Sequence, residues 1–253
     1  ATYFAKQIAP NPVLGQSYWG WTIGITGFLI AIIGPIVGSF ADKKNRIVNA
    51  QSGSLIVMDI ENGEILCSLS SPGYDPNIFS NDLEADVWNN LKNNSRAPLL
   101  NRSMSGVYPP GSTIKMAVAL AALENGKIDY NTKFYCNGLK ELGSSTFHCW
   151  AKDGHGKLNL IEAIEQSCDV YFYELGLKVG IDKIALMMKK LGLGQDYDLE
   201  IKDRSKGVVP NIEWKLKRDG LQWSMGETLN ASIGQGYLLT TPLQLTTMVS
   251  RIA

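Results

Sequence analysis

From Gln7 to Ala41 the chain has no charged residue, and Tyr18 to Phe40 is apolar apart from small hydroxyl side chains. That length suits one membrane-spanning helix, with Trp19 and Trp21 at one interface and Pro35 as a tolerated kink. Beyond residue 50 the pattern changes. Gly53–Ile60 and Glu64–Leu69 are short β-prone runs separated by Glu61-Asn62-Gly63, which predicts a hairpin with an Asn-Gly turn. Met116 to Leu123 is almost entirely Ala, Leu, Val and Met and stops at Gly126, which predicts a helix buried on all sides. Leu158 to Leu193 reads as helices. Residues 70–77, 89–98 and 194–214 read as loop, with one short strand near Asp198–Lys202.

Chemistry enters where the buried helix begins. Ser112 and Lys115 stand three residues apart after a Pro-Pro-Gly break, so both lie on one face of the first turn and the lysine amine reaches the serine hydroxyl. The helix N-terminus favours an alkoxide and an oxyanion, and a buried, neutral Lys115 is a base for a serine nucleophile. A bare Ser-x-x-Lys arises about once by chance in a chain this long. The apolar flank makes a solvated lysine here costly unless it has a partner. A second serine and acid, Ser167 and Asp169, stand two apart between helical segments.

Four blocks occur in order: Gly106-Val107-Tyr108-Pro109-Pro110-Gly111-Ser112-Thr113-Ile114-Lys115, Gly154-His155-Gly156, Ser167-Cys168-Asp169-Val170-Tyr171-Phe172-Tyr173, and Gly234-Gln235-Gly236-Tyr237 running on to Leu245. Together they resemble the transpeptidase domain of class B penicillin-binding proteins, most closely the penicillin-binding protein 2 type, over residues 50–253. The resemblance implies an α/β (α+β) penicillin-binding/β-lactamase-like transpeptidase fold. It implies that Ser112 attacks the penultimate D-alanyl carbonyl of a peptidoglycan stem peptide, with Lys115 as base. Ser167 would relay a proton to the departing amine, and Asp169 would hold Lys115 and the substrate. β-Lactams would acylate Ser112. A membrane glycosyltransferase of the elongation machinery and the bacterial inner membrane are the partners expected of such a protein. Many relatives carry Asn where Asp169 stands. The family also needs a Lys-[Ser/Thr]-Gly strand, and that tripeptide does not occur; Ser205-Lys206-Gly207 has the wrong order. The resemblance therefore predicts a truncated domain, an incomplete antiparallel sheet and at best a poor enzyme.

Charge sharpens the picture of the first segment. Residues 38–46, Gly-Ser-Phe-Ala-Asp-Lys-Lys-Asn-Arg, resemble a cytoplasmic loop of major facilitator transporters, so residues 1–46 read as a transporter-like piece carrying the helix at about 18–40. Lys43, Lys44 and Arg46 come after the helix and only Lys6 precedes it. By the positive-inside rule, the chain beyond residue 42 then lies in the cytoplasm. The resemblance of residues 50–253 instead implies a periplasmic catalytic domain, and a chimera accounts for both. Over all 253 residues the net charge is zero, and nothing points to nucleic acid.

Cys136, Cys149, His155 and Cys168 form a set of three thiols and one imidazole. Such a set suits a closed tetrahedral zinc site, although its spacing is wider than in common zinc knuckles. A Cys136–Cys149 disulfide and three buried free thiols are the alternatives, and His148 is a spare ligand. The resemblance favours zinc, because penicillin-binding protein 2 relatives carry a metal site beside the active site. Three function classes remain: an acyl-serine D,D-transpeptidase, a non-catalytic penicillin-binding module, and a transporter fragment, the last disfavoured because one helix makes no transport path.

Overall fold

The computed structural model describes residues 52–80 and 83–253. The expected membrane helix and the transporter-like segment lie outside the described residues. No helix among the described residues is long and apolar enough to cross a membrane. The chain divides into two compact units, one running up to Leu100 and including Val249–Ala253, the other Asn101–Met248.

In the first unit, β1 (Gly53–Met58) and β2 (Ile65–Ser71) pair antiparallel as a two-stranded sheet. The hairpin is present, but a two-residue Asn-Gly turn does not close it. The last pair is Met58↔Ile65, with a register shift beside Val57. The side chains of Asp59 and Asn62 explain the wider loop: they accept from the backbone N–H of Glu61 and Glu64, at 2.8 Å each. These local bonds compete with the ladder. A 3-10 turn covers Pro76–Phe79, and α1 (Ala85–Lys92) takes up residues expected to begin a loop.

The second unit is helical with small β insertions. After a 3-10 turn at Gly111–Ile114 come α2 (Lys115–Glu124), β3 (Phe134–Cys136), β4 (Leu139–Leu142), β5 (Ser145–His148) and β6 (Gly156–Leu158). Next are α3 (Leu160–Glu165), α4 (Asp169–Val179), α5 (Ile181–Lys190), α6 (Ile212–Asp219), α7 (Met225–Ser232) and α8 (Pro242–Ile252). Strand β3 pairs with β6 and β4 with β5, both antiparallel. The core forms where α2, α4, α5 and α7 meet. Val118, Phe172, Leu175, Ile184 and Leu229 are completely enclosed there. Gly176 lets α4 approach α7 closely, since a Cβ there would touch the Ser232 side chain at 3.0 Å.

Local chemistry sets the helix ends. Asn159 with Glu162, and Ser224 with Glu227, form capping boxes at α3 and α7. Asn211 caps α6 through the Trp214 N–H, so that helix starts inside the stretch expected to be loop. No strand forms near Asp198–Lys202: the Arg204 guanidinium takes the carbonyls of Leu199 and Ile201 and holds the segment irregular.

The Gly234–Leu245 block acts as a clamp on the chain leading to Ser112. Tyr108 and Thr240 exchange both backbone hydrogen bonds at 2.9 Å, and Gly111 N–H donates to Gly234 C=O at 3.0 Å. A Cβ on Gly234, at φ +78°, would overlap the Gly111 backbone. Gly236 is also left-handed, at φ +71°, but there a Cβ would meet only the Asn230 Cβ at 3.4 Å. Gly234→Ala is expected to destabilise by about 3 kcal/mol, summing left-handed strain and overpacking. Gly236→Ala should lose only about 1 kcal/mol. Denaturant unfolding of the two variants separates the terms, and equal losses would contradict the tight backbone contact.

Candidate active site

Four side chains of the second unit converge from two stretches of chain, the 3-10 turn running into α2 and the link from α3 into α4. Ser112 lies in the 3-10 turn, Lys115 is the first residue of α2, Ser167 sits between α3 and α4, and Asp169 opens α4. Lys115 is only 2% exposed. Its ammonium has three hydrogens and three partners: Asp169 Oδ1 at 2.7 Å, Ser167 C=O at 2.8 Å and Ser167 Oγ at 3.0 Å. The charge is therefore fully hydrogen-bonded inside the protein, as a buried ammonium requires. The Phe172 ring adds a cation–π contact at 5.4 Å.

The direct lysine-to-serine contact expected from the helical spacing is replaced by a relay. Ser167 Oγ donates to Ser112 Oγ at 2.9 Å, so Lys115 is linked to Ser112 through Ser167. Gly111–Ile114 winds as a 3-10 turn before the α-helix begins, and the Ser167 hydroxyl bonds to both residues, at 3.0 Å to Lys115 Nζ and 2.9 Å to Ser112 Oγ. The chain of donors runs Lys115 to Ser167 to Ser112. Hydroxyl rotation reverses it, so the same three atoms can carry a proton away from Ser112 or towards a group beside it.

The conformation of Ser167 is unusual. It is one of two non-glycine residues with positive φ among the described residues, at +51°. Its backbone N–H bonds to Ile164 C=O and that of Cys168 bonds to Ala163 C=O, the double bond of a Schellman helix end. The same pair of bonds recurs at Gly126, Gly192 and Gly234, all with positive φ. At those three ends the chain uses glycine, the residue that adopts this conformation without strain. At the fourth it uses serine and bears about 1 kcal/mol of strain.

Beside this turn lies the predicted cluster. Cys136, Cys149, His155 and Cys168 bring one ligand atom each to within 4.8 Å of one another. His155 Nδ1 stands 3.6 Å from the sulfurs of both Cys136 and Cys149. A tetrahedral ion with ordinary zinc–sulfur and zinc–nitrogen bonds sets a sulfur–nitrogen edge of about 3.6 Å. The opposite ring nitrogen, Nε2, is buried and has no hydrogen-bond partner. The thiols are free, so the disulfide alternative is not formed. His148 lies outside the set; its carbonyl accepts from the Tyr173 hydroxyl at 3.1 Å. Burial pushes the Cys168 thiol far above the ordinary thiol range, and the neighbouring Cys136 adds to the shift. A thiolate there needs a cation.

Trp150 was not singled out by sequence reasoning. Its backbone N–H donates to Asp169 Oδ2 at 3.1 Å, and its indole N–H to the carbonyls of Gln166 and Ser167, also at 3.1 Å. The available clue was its place next to Cys149. Ser205-Lys206-Gly207 is loop, as expected, with the Lys206 carbonyl taken by Gln244 Nε2 at 2.8 Å.

The model of the penicillin binding protein transpeptidase domain matches residues 53–253. The chain belongs to this family. It is 41% identical over 195 residues to the peptidoglycan D,D-transpeptidase MrdA of Acinetobacter baumannii, and 38% identical over 194 residues to that of Escherichia coli. Each match covers 76% of this chain, and 29% and 31% of the two relatives' own lengths. Among solved structures, the complex of penicillin-binding protein PBP2 with MreC from Helicobacter pylori superposes with a TM-score of 0.78 at 41% identity, covering 81% of this chain and 38% of that one. Pseudomonas aeruginosa PBP2 in complex with WCK 5153 gives 0.76 at 37% identity, covering 79% and 46%.

Both replacements of Ser167 by a small residue delete the hydroxyl, but only glycine relieves the left-handed strain. Ser167→Gly should therefore be about 1 kcal/mol more stable than Ser167→Ala. Equal unfolding midpoints for the two would refute a strained turn.

Proposed function

We propose that this chain carries the nucleophile side of a peptidoglycan D,D-transpeptidase of the penicillin-binding protein 2 type. The observation that carries the reading is the bonded line Lys115–Ser167–Ser112, with Lys115 anchored on Asp169. Lys115 first passes one ammonium proton to Asp169 Oδ1, 2.7 Å away; the neutral amine then accepts the Ser112 proton through Ser167, and Ser112 Oγ bonds to the penultimate D-alanyl carbonyl carbon. Collapse of the tetrahedral adduct breaks the bond to the terminal D-alanine, and the proton returns through Ser167 to that amine. The Ser112 N–H, at the start of the helical turn, is one oxyanion donor. A second stem peptide's amine then takes the acyl group and frees Ser112. In this reading the site faces the periplasm, where peptidoglycan lies. The inner membrane and a glycosyltransferase of the elongation machinery are its expected neighbours; relatives have been solved with MreC and in a peptidoglycan synthase complex that coordinates polymerization and crosslinking.

β-Lactams test this directly, because they acylate the same serine. Fluorescent penicillin is expected to label the protein covalently, and Ser112→Ala to remove all labelling. Lys115→Met should reduce the labelling rate by roughly a thousandfold or more, the scale of losing a catalytic base and an ordered relay. Label retained in Ser112→Ala would sink the assignment.

The Cys136, Cys149, His155 and Cys168 set is the natural holder of a structural zinc ion, which would stabilise the three thiolates and pin the turn containing Cys168. Elemental analysis of the purified protein should find close to one zinc per chain. Cys168→Ser should lose most of it and lower the unfolding temperature. Under about a tenth of an equivalent in the parent protein would reject the metal.

A further inference from the structure

We propose that Trp150 is a positioning residue for the serine–lysine site: through its indole and backbone N–H groups it holds the left-handed Ser167 turn that sets Ser167 between Lys115 and Ser112. The proposal builds on the transpeptidase reading and adds a residue to it.

Burial does not explain Trp150. It is 66% exposed, yet both its N–H groups point at one turn. The indole N–H is shared between the carbonyls of Gln166 and Ser167, and the backbone N–H takes Asp169 Oδ2. Those acceptors flank the strained residue on both sides. The Ser167 carbonyl is the same oxygen that accepts from Lys115 Nζ, and Asp169 offers its other oxygen to that same ammonium. Trp150 and Lys115 thus grip the turn together through shared acceptors.

Trp150 is itself held. It comes directly after Cys149, whose backbone N–H bonds to Gly138 C=O at 2.8 Å, and its ring meets the His155 ring edge-on at 5.1 Å between centroids. Cys149 and His155 face each other in the thiol–imidazole cluster, and Cys168 of that cluster lies within the turn. Two routes therefore run from the cluster to Ser167: one through Cys168 along the backbone, the other through Trp150 across space. A serine in a glycine conformation needs such bracing, because a strained backbone persists only where its surroundings over-determine it.

Trp150→Phe deletes the indole donor while keeping an aromatic ring and the backbone N–H. Hydrogen exchange read by mass spectrometry should show the amides of Ser167 and Cys168 exchanging about tenfold faster, with α5 and α7 unchanged. In penicillin labelling, the first-order acylation constant should fall about tenfold or more, while the dissociation constant of the initial complex stays within twofold. Zinc content should equal the parent's. Placing 3-benzothienylalanine at position 150, a tryptophan shape without the N–H, should reproduce both effects and so exclude repacking around the smaller ring. Unchanged exchange at Ser167 and Cys168 in both variants would overturn the proposal, as would a loss confined to initial affinity. If the parent protein takes no label, the transpeptidase reading fails on its own, and the exchange measurement still decides whether Trp150 holds the turn.

Discussion

The site depends on the burial of one ammonium group. Lys115 opens a helix whose residues up to Leu123 are Ala, Val, Leu and Met, and its charge cannot reach water. Every hydrogen must find an oxygen within the protein, and the three oxygens all belong to Ser167 and Asp169. An unpaired charge in such surroundings costs several kcal/mol, so α2 cannot pack without the turn between α3 and α4 in place. The same requirement brings the Ser167 hydroxyl within reach of Ser112. Core assembly and assembly of the Lys115–Ser167–Ser112 line are thus one event.

The left-handed Ser167 turn shows how the chain reconciles stability with chemistry. At three other helix ends the same double hydrogen bond is closed by glycine, which has no side chain to offer. Here a serine stands in the left-handed position, and the strain is offset by bonds from neighbouring groups. Asp169 holds Lys115, Trp150 bonds on both sides of the serine, and Cys168 ties the next residue into the thiol–imidazole cluster. The short β3–β6 and β4–β5 pairs belong to this scheme, since they carry Cys136 and deliver Cys149, Trp150 and His155.

How far the sequence foretold this differs with the physical range of each feature. The buried helix from Lys115 to Glu124, its stop at Gly126 and the helices after Leu158 depend on composition over ten or more residues, and they could be read directly. That Ser112, Lys115, Ser167 and Asp169 stand together was legible from the ordered motifs. Their wiring was not: Lys115 bonds to Ser167 rather than to Ser112, a contact across 52 positions that no local spacing encodes. The strands β3 to β6 are three or four residues long, too short for an alternating pattern to register. Arg204 suppressed an expected strand, and Asp59 with Asn62 widened an expected tight turn, because side chains captured backbone groups that a propensity argument leaves to the ladder. Trp150 was invisible for the opposite reason: its role lies in contacts to residues some sixteen positions away, which no local pattern encodes.

The backbone contact between Gly111 and Gly234, with the exchange between Tyr108 and Thr240, bears on when the site comes into being. The partner that fixes the path of the turn bearing Ser112 is synthesised more than a hundred residues after it. Closing so long a loop is entropically slow and waits on the intervening helices. During synthesis, the path of the turn that bears Ser112 is therefore unfixed until the Gly234–Thr240 stretch docks. The architecture makes the geometry around Ser112 a late property of folding.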